Sequence, residues 1–259
     1  MFDIHPISAF DDNYIWAVKP ENSDAVAVVD PGDAQPVLQY LQSRQLNLAA
    51  IFITHHHWDH TGGIDALLSY YPVPVYGPNN PKISQVSQPL TSGDQVNFGS
   101  GSFQVIEVPG HTLDHIAYFL DDSRPLLFCG DTLFAAGCGR LFEGSPQQMY
   151  SSLQKLLALP EQTQVYCTHE YTLANLAFAL AAEPENSQLH KRLKDCQQLR
   201  QQGRPTLPTT IGLEKLTNPF LRCNVNALQQ RVREHSNTEI RGEVETFALL
   251  RKWKDGFVT

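Results

Sequence analysis

A chain of 259 residues with 42% hydrophobic and 18% charged side chains can bury a sizeable core, as one large domain or as a large and a small one, and is not composed like a disordered chain. The net charge of −8 argues against general nucleic-acid binding. No stretch approaches the roughly 20 apolar residues that a membrane span requires, Ala174 to Ala182 coming nearest.

Met1 to Asn13 carries Asp3, Asp11 and Asp12 without a basic start or an apolar core, so no export signal is expected. Five cysteines, Cys129, Cys138, Cys167, Cys196 and Cys223, are odd in number and show no Cys-x-x-Cys spacing. They read as small buried hydrophobes in a reducing cytosol, so a cytoplasmic location is expected. Charge is uneven: residues 1–172 hold 6 Lys and Arg against 18 Asp and Glu, whereas residues 173–259 hold 13 against 9.

In chain order, Ala25 to Val29 is an apolar, β-branched strand closed by Asp30-Pro31-Gly32. Ala34 to Gln45 has helical apolar spacing, and Ala49 to Ile53 is a second buried strand. A helix over Gly62 to Tyr70 and a short strand over Val73 to Tyr76 follow. Gln95 to Phe98 and Ser102 to Val108 pair as a hairpin across Gly99-Ser100-Gly101, and Ile116 to Leu120 and Leu126 to Cys129 are further strands. Pro146 to Leu159 is a helix capped by Ser145, and Gln164 to Cys167 is the last strand. Helices are then predicted over Leu173 to Ala182, Ser187 to Gln202 and Thr238 to Lys254, with Thr206 to Phe220 irregular and rich in proline. The chain thus divides into an α/β domain over 1–172 and a helical domain over 173–259.

The strongest chemical signal is Thr54-His55-His56-His57-Trp58-Asp59-His60, directly after the Ala49 to Ile53 strand. His55 and His57 share one side of an extended chain, and Asp59 and His60 follow where the chain turns into a helix. Three more strands end in the same manner, on Gly110-His111, Gly130-Asp131 and Thr168-His169. Any of these three alone reads as a core or turn residue; beside the four-donor run they become ligand candidates. Seven imidazole and carboxylate donors exceed the four of one tetrahedral zinc and suffice for two ions if one carboxylate bridges. Such donors suit zinc first, with iron or manganese as alternatives. His5, His190 and His235 lack this context and read as structural or surface residues.

The pattern His55-x-His57-x-Asp59-His60 with His111, Asp131 and His169 resembles the metallo-β-lactamase superfamily signature. That resemblance implies an α+β fold: an αββα four-layer sandwich with metals at one edge, followed by a smaller C-terminal helical domain. Asp12-Asn13-Tyr14, Gly137 to Gly144, Cys167 to Thr172, Asn218 to Arg222 and Arg251 to Asp255 narrow it to a resemblance to glyoxalase II, the hydroxyacylglutathione hydrolases, over nearly the whole chain. By that family's pattern His55, His57 and His111 hold one metal, Asp59, His60 and His169 the second, and Asp131 bridges. Arg140, Tyr171, Arg251 and Lys254 match positions that contact glutathione.

The activity implied is hydrolysis of S-(2-hydroxyacyl)glutathione, such as S-lactoylglutathione, to glutathione and a 2-hydroxy acid, the second step of glutathione-dependent methylglyoxal detoxification. A water between two metals loses a proton near neutral pH and attacks the thioester carbonyl, with Asp59 as the catalytic residue that aims it. The expected partner is the small-molecule thioester alone, with no nucleic acid and no membrane, and the expected state is a monomer. Arg251 and Lys254 are three residues apart on one helical face; by themselves they read as a solvated basic helix end favourable to the helix dipole, and the family resemblance implies instead a cationic clamp for a carboxylate. The sequence departs from the family pattern at Asp114, where glycine often precedes the histidine, and at Phe142, where some relatives have tyrosine. Asp114 is expected either to touch the residues around the metals or to face solvent.

Competing readings are another hydrolase of the superfamily, such as a lactonase, other thioesterase or RNA-processing nuclease, and a non-catalytic metal-binding scaffold. The complete ligand set argues against the scaffold, the acidic charge against the nuclease, and the cationic C-terminus against the lactonase.

Overall fold

The computed structural model describes residues 1–258, in two compact units. The first unit comprises Met1–Glu107, Asp114–Gly130 and Tyr166–His169. Its first sheet runs in the order β1 (Phe2–Ala9), β2 (Asn13–Pro20), β3 (Ala25–Val29), β4 (Asn47–Phe52), β5 (Val75–Pro78) and β6 (Gln88–Leu90). The first three strands are antiparallel and the last four parallel. Parallel neighbours need a crossover connection. Helix α1 (Ala34–Arg44) supplies it between β3 and β4; the single turn α2 (Trp58–Thr61) and helix α3 (Ile64–Tyr70) supply it between β4 and β5.

The second sheet of this unit is the antiparallel meander β7 (Gln95–Phe98), β8 (Gly101–Glu107), β9 (Ile116–Leu120) and β10 (Leu126–Gly130), flanked by the end of the strand Gln164–Cys167. The sheets face each other through aromatic side chains. Phe52 stacks on Tyr118 at 5.1 Å and meets Phe103 edge-on at 5.7 Å, and Trp16 meets Tyr166 edge-on at 4.9 Å. Their polar tips are satisfied: Tyr118 donates to the Ile53 carbonyl at 2.8 Å and the Trp16 indole to the Cys167 carbonyl at 3.0 Å. On the other face of the first sheet, Val37 and Leu41 of α1 and Ile64 and Leu67 of α3 pack with Val26, Val28 and Ile51. The parallel strands β3 and β4 therefore have both faces covered, which is why they read as near-continuous apolar runs.

The second unit comprises Val108–Leu113, Asp131–Val165 and the chain from Glu170 onward. A small hairpin, β11 (Leu133–Phe134) with β12 (Gly137–Cys138), precedes α4 (Pro146–Leu157). Ser145 closes a capping box on α4 with Gln148, and Pro146 occupies the first turn. The first half of β13 (Gln164–Cys167) pairs with β14 (Thr209–Thr210). The rest is helical: α5 (Thr172–Ala182), α6 (Ser187–Gln201), α7 (Ile211–Thr217), α8 (Asn226–Ser236) and α9 (Glu243–Asp255). A buried ion pair, Arg192 to Glu214 at 2.6 Å, anchors this unit to its hairpin. The second Glu214 oxygen accepts from the Ala136 amide at 2.8 Å, and Asn218 donates to the Gly137 carbonyl at 2.8 Å.

The structure adds elements to the sequence expectation: the short strands β6, β11, β12 and β14, the single turn α2, the helices α7 and α8, and the β1–β2 hairpin. Thr206 to Phe220, expected to be irregular, contains α7, because Pro205, Pro208 and Pro219 lie outside the helix and bracket it rather than break it. Helix α8 escaped notice because it buries only Leu228 and Val232 among polar side chains. The β1–β2 hairpin did so because β1 carries Pro6 and alternates irregularly between buried and exposed positions, as suits an edge strand.

Candidate metal centre

The Thr54–His60 segment leaves the end of β4 beside the end of β3, and Asp30 joins the two. Asp30 is 1% exposed and adopts φ 54°, a left-handed conformation that aspartate tolerates better than most residues. Its carboxylate accepts from the Thr54 amide at 2.8 Å, the Thr54 hydroxyl at 2.7 Å and His60 Nδ1 at 3.0 Å. An ionised carboxylate only accepts, so the His60 proton sits on Nδ1 and Nε2 carries a lone pair. The approach is close: a Cβ at Gly32 would lie 1.8 Å from the Asp59 carbonyl oxygen.

Within the first unit, His60 Nε2, Asp59 Oδ2 and His169 Nε2 converge. Asp59 Oδ2 lies 3.4 Å from His60 Nε2 and 3.6 Å from His169 Nε2. His169 Nδ1 is held by Asp12 at 2.8 Å, which again turns Nε2 inward. His55 and His57 form a second convergence, with Nε2 of the former 3.1 Å from Nδ1 of the latter. The His55 ring stacks on buried His115 at 4.5 Å. Gly130, at φ 46°, lets the chain pass there: a Cβ would lie 2.3 Å from the Thr54 hydroxyl and 2.9 Å from the His115 ring. Five of the seven expected donors thus gather in this unit.

The second unit brings His111 and Asp131 together, with Nε2 3.4 Å from Oδ2, while His111 Nδ1 donates to the Arg140 carbonyl at 2.7 Å. Arg140 itself is exposed, its guanidinium 5.9 Å from the Phe142 ring centre. Tyr171, partly exposed, rests edge-on against Phe134 at 5.4 Å. Arg251 is buried and already engaged: Nε and Nη2 donate to Asp255 Oδ1 at 3.2 and 3.0 Å, and Nη1 to the Cys138 carbonyl at 3.0 Å. Lys254 donates to the Ala174 carbonyl at 3.3 Å, and burial, with the Arg251 charge second, lowers its pKa below the ordinary lysine value.

The donor chemistry fits metal ions. Ligands held 2.0–2.2 Å from a tetrahedral zinc lie about 3.3–3.6 Å from one another, the separations found for Asp59 with its two histidines. His60, His169 and His111 are oriented through Nδ1 by carboxylate or carbonyl oxygens, the arrangement usual for metal ligands, and His55 Nδ1 meets the Thr54 hydroxyl at 3.0 Å. No thiolate is offered. All five cysteines are buried and free, and burial pushes the Cys138 thiol up to about 11.

Residues 10–169 match the metallo-beta-lactamase superfamily, and residues 170–257 match the hydroxyacylglutathione hydrolase C-terminus. The hydroxyacylglutathione hydrolase of Hahella chejuensis is 52% identical over 258 residues, 99% of this chain and 100% of that protein. The chain belongs to the hydroxyacylglutathione hydrolase family. The enzyme of that name from Chromohalobacter salexigens is 51% identical over 99% of this chain and 100% of its own length. Among solved structures, the protein TTHA1623 in a di-iron-bound form superposes with a TM-score of 0.62 at 27% identity, over 84% of this chain and 100% of that one.

Membership of the hydroxyacylglutathione hydrolase family bears out the expected fold, a metallo-β-lactamase sandwich followed by a helical C-terminal domain, and supports a dinuclear metal site. Of the family departures, Asp114 faces neighbours rather than bulk solvent. It takes His56 Nδ1 at 2.9 Å and the Asn80 amide at 2.7 Å. Phe142 is exposed, its ring 5.2 Å from that of His111.

Sequence reasoning missed Asp30 and read Asp12 and Asn13 only as part of a motif. A signal existed for Asp30, an acid closing a buried strand, but it was absorbed by the turn reading of Asp30-Pro31-Gly32. Among the described residues, no helix is long and apolar enough to cross a membrane.

Proposed function

We propose that this chain hydrolyses S-(2-hydroxyacyl)glutathione, with S-lactoylglutathione as the type substrate, to glutathione and a 2-hydroxy acid, and so performs the second step of glutathione-dependent methylglyoxal detoxification. The observation that carries the reading is a complete seven-donor set in a chain that matches its hydroxyacylglutathione hydrolase relatives from end to end.

His55, His57 and His111 would hold one ion and Asp59, His60 and His169 the other, with Asp131 bridging. Two ions, when bound, supply a water acidic enough to act as nucleophile at neutral pH and polarise the thioester carbonyl. The choice of zinc rests on the imidazole and carboxylate donors; iron and manganese suit the same set. Asp59 accepts a hydrogen bond from the attacking water and aims its lone pair at the carbonyl carbon. The leaving thiolate is stable enough at neutral pH that no strong general acid is required. Cys138 has no part as a nucleophile, since its buried thiol stays protonated near pH 7.

Substrate recognition belongs to Arg140, Tyr171, Arg251 and Lys254 of the helical domain, residues 173–259, and the loops beside it. Arg140 and Lys254 supply positive charge for the glutathione carboxylates. Arg251 acts chiefly by fixing the Cys138 carbonyl and Asp255, and a contact with substrate would be shared with Asp255. The chain is proposed to work as a cytoplasmic monomer on this small molecule. The test is hydrolysis of S-lactoylglutathione followed at its thioester absorbance, with metal analysis of protein purified without added metal. No turnover by protein carrying two ions per chain would overturn the reading.

A further inference from the structure

We propose that Asp12 and Asn13, at the tip of the β1–β2 hairpin, are positioning residues for the metal site formed by Asp59, His60 and His169. The inference rests on the dinuclear reading above and adds two residues that contribute no ligand atom to it.

Each of the two side chains grips a different ligand. The Asn13 amide, 6% exposed, donates to Asp59 Oδ2 at 3.1 Å. That oxygen is the one facing His60 Nε2 and His169 Nε2. A carboxylate at the end of one rotatable Cβ–Cγ bond exchanges its two oxygens readily unless a donor selects one. Asn13 makes that selection. Asp12 Oδ1 takes His169 Nδ1 at 2.8 Å, which places the imidazole proton on the outer nitrogen and sets the plane of the ring.

The backbone keeps both grips in register. Asn13 and His169 form an antiparallel bridge, and the Tyr14 amide donates to the Thr168 carbonyl at 2.6 Å. Further along β2, the Trp16 indole donates to the Cys167 carbonyl. One short segment thereby fixes a ligand 46 residues away and another 157 residues away. His60 is held independently, since its Nδ1 goes to buried Asp30. Loosening the hairpin tip should therefore disturb two of the three ligands of this site and leave His55, His57 and His111 undisturbed.

The effect expected is selective. Outer-shell partners of metal ligands typically change metal affinity about 10–100-fold. The experiment is a Zn2+ titration of metal-stripped enzyme against a chromophoric chelator, repeated with Co2+ for its visible absorption, on the parent and on Asn13→Leu, Asp12→Ala and Asp12→Asn. The parent should take up two ions per chain. Asn13→Leu and Asp12→Ala should bind one ion with parental affinity and the other about 10–100-fold more weakly. Asp12→Asn, which keeps an acceptor oxygen for His169, should recover most of that loss. If Asn13→Leu does not fold, Asp12→Ala carries the test, because Asp12 lies at a partly exposed turn. Parental affinity at both sites in Asp12→Ala, or equal weakening of both, would overturn the proposal. Uptake of a single ion by the parent would instead overturn the dinuclear reading, so the two failures are distinguishable.

Discussion

Arg251 Nη1 lies 3.0 Å from the backbone carbonyl oxygen of Cys138, so a residue three positions before Lys254 on the last helix is spent largely on holding the β11–β12 hairpin. Two members of one expected carboxylate clamp thus have different burdens. Arg251→Ala should destabilise the protein as well as weaken substrate binding. A hydrogen bond to a charged group contributes roughly 1.5–3 kcal/mol, which for a chain of this size lowers Tm by several degrees. Thermal unfolding of the metal-loaded variant checks this; a raised KM at unchanged Tm would assign Arg251 to substrate alone.

Lys254 predicts a pH dependence of binding. Burial lowers its pKa, so its positive charge is complete at low pH and disappears, as pH rises, earlier than that of a surface lysine. KM for S-lactoylglutathione should climb on the alkaline limb, with kcat little changed, since a contact remote from the reacting carbonyl serves ground and transition states alike. Lys254→Met should start with KM raised about tenfold and lose the alkaline rise. Steady-state kinetics across pH beside a small thioester lacking the glutathione carboxylates makes the comparison. An equal alkaline rise with the small thioester would show that the effect lies elsewhere.

Asp30 is a third target. Asp30→Ala removes the acceptor of the Thr54 amide, the Thr54 hydroxyl and His60 Nδ1 in a buried place. Each donor so stranded costs about 1–3 kcal/mol, and His60 loses the contact that fixes its tautomer. Lower unfolding stability and lost metal should appear together, measured by denaturant titration and by metal content after dialysis. Retention of two ions and parental stability would refute the role given to Asp30.

The bridging role proposed for Asp131 sets it apart from the other proposed ligands. Asp131→Ala should lower occupancy at both sites, whereas His111→Ala should mainly empty one. Elemental analysis at a limiting free-zinc concentration distinguishes them. Full binding of two ions by Asp131→Ala would remove the bridge.

Cys138 supplies a negative prediction. With its thiol pushed up to about 11, only about one molecule in ten thousand carries the thiolate at neutral pH. Native protein should resist alkylation there at pH 7.5, and Cys138→Ala should keep kcat within a few-fold of the parent. Loss of turnover without loss of Tm or metal would give Cys138 a part in the chemistry.

The sequence by itself determined the candidate ligand types, their spacing and the family. His55, His57, Asp59 and His60 are neighbours along the chain, and each remaining ligand closes a recognisable strand, so local pattern carries them. Strands β3, β9 and β13 and the Ser145 cap were legible for the same reason: periodicity and capping act within a few residues. Tertiary structure decided what holds those ligands. Asp30 lies 30 residues from His60, Asn13 46 from Asp59, and Asp12 157 from His169. It also decided that Arg251 faces Cys138, 113 residues away. A hydrogen bond requires a separation of about 3 Å in space and sets no limit along the chain, so these partners leave no periodic trace in the sequence and become visible only when the chain folds.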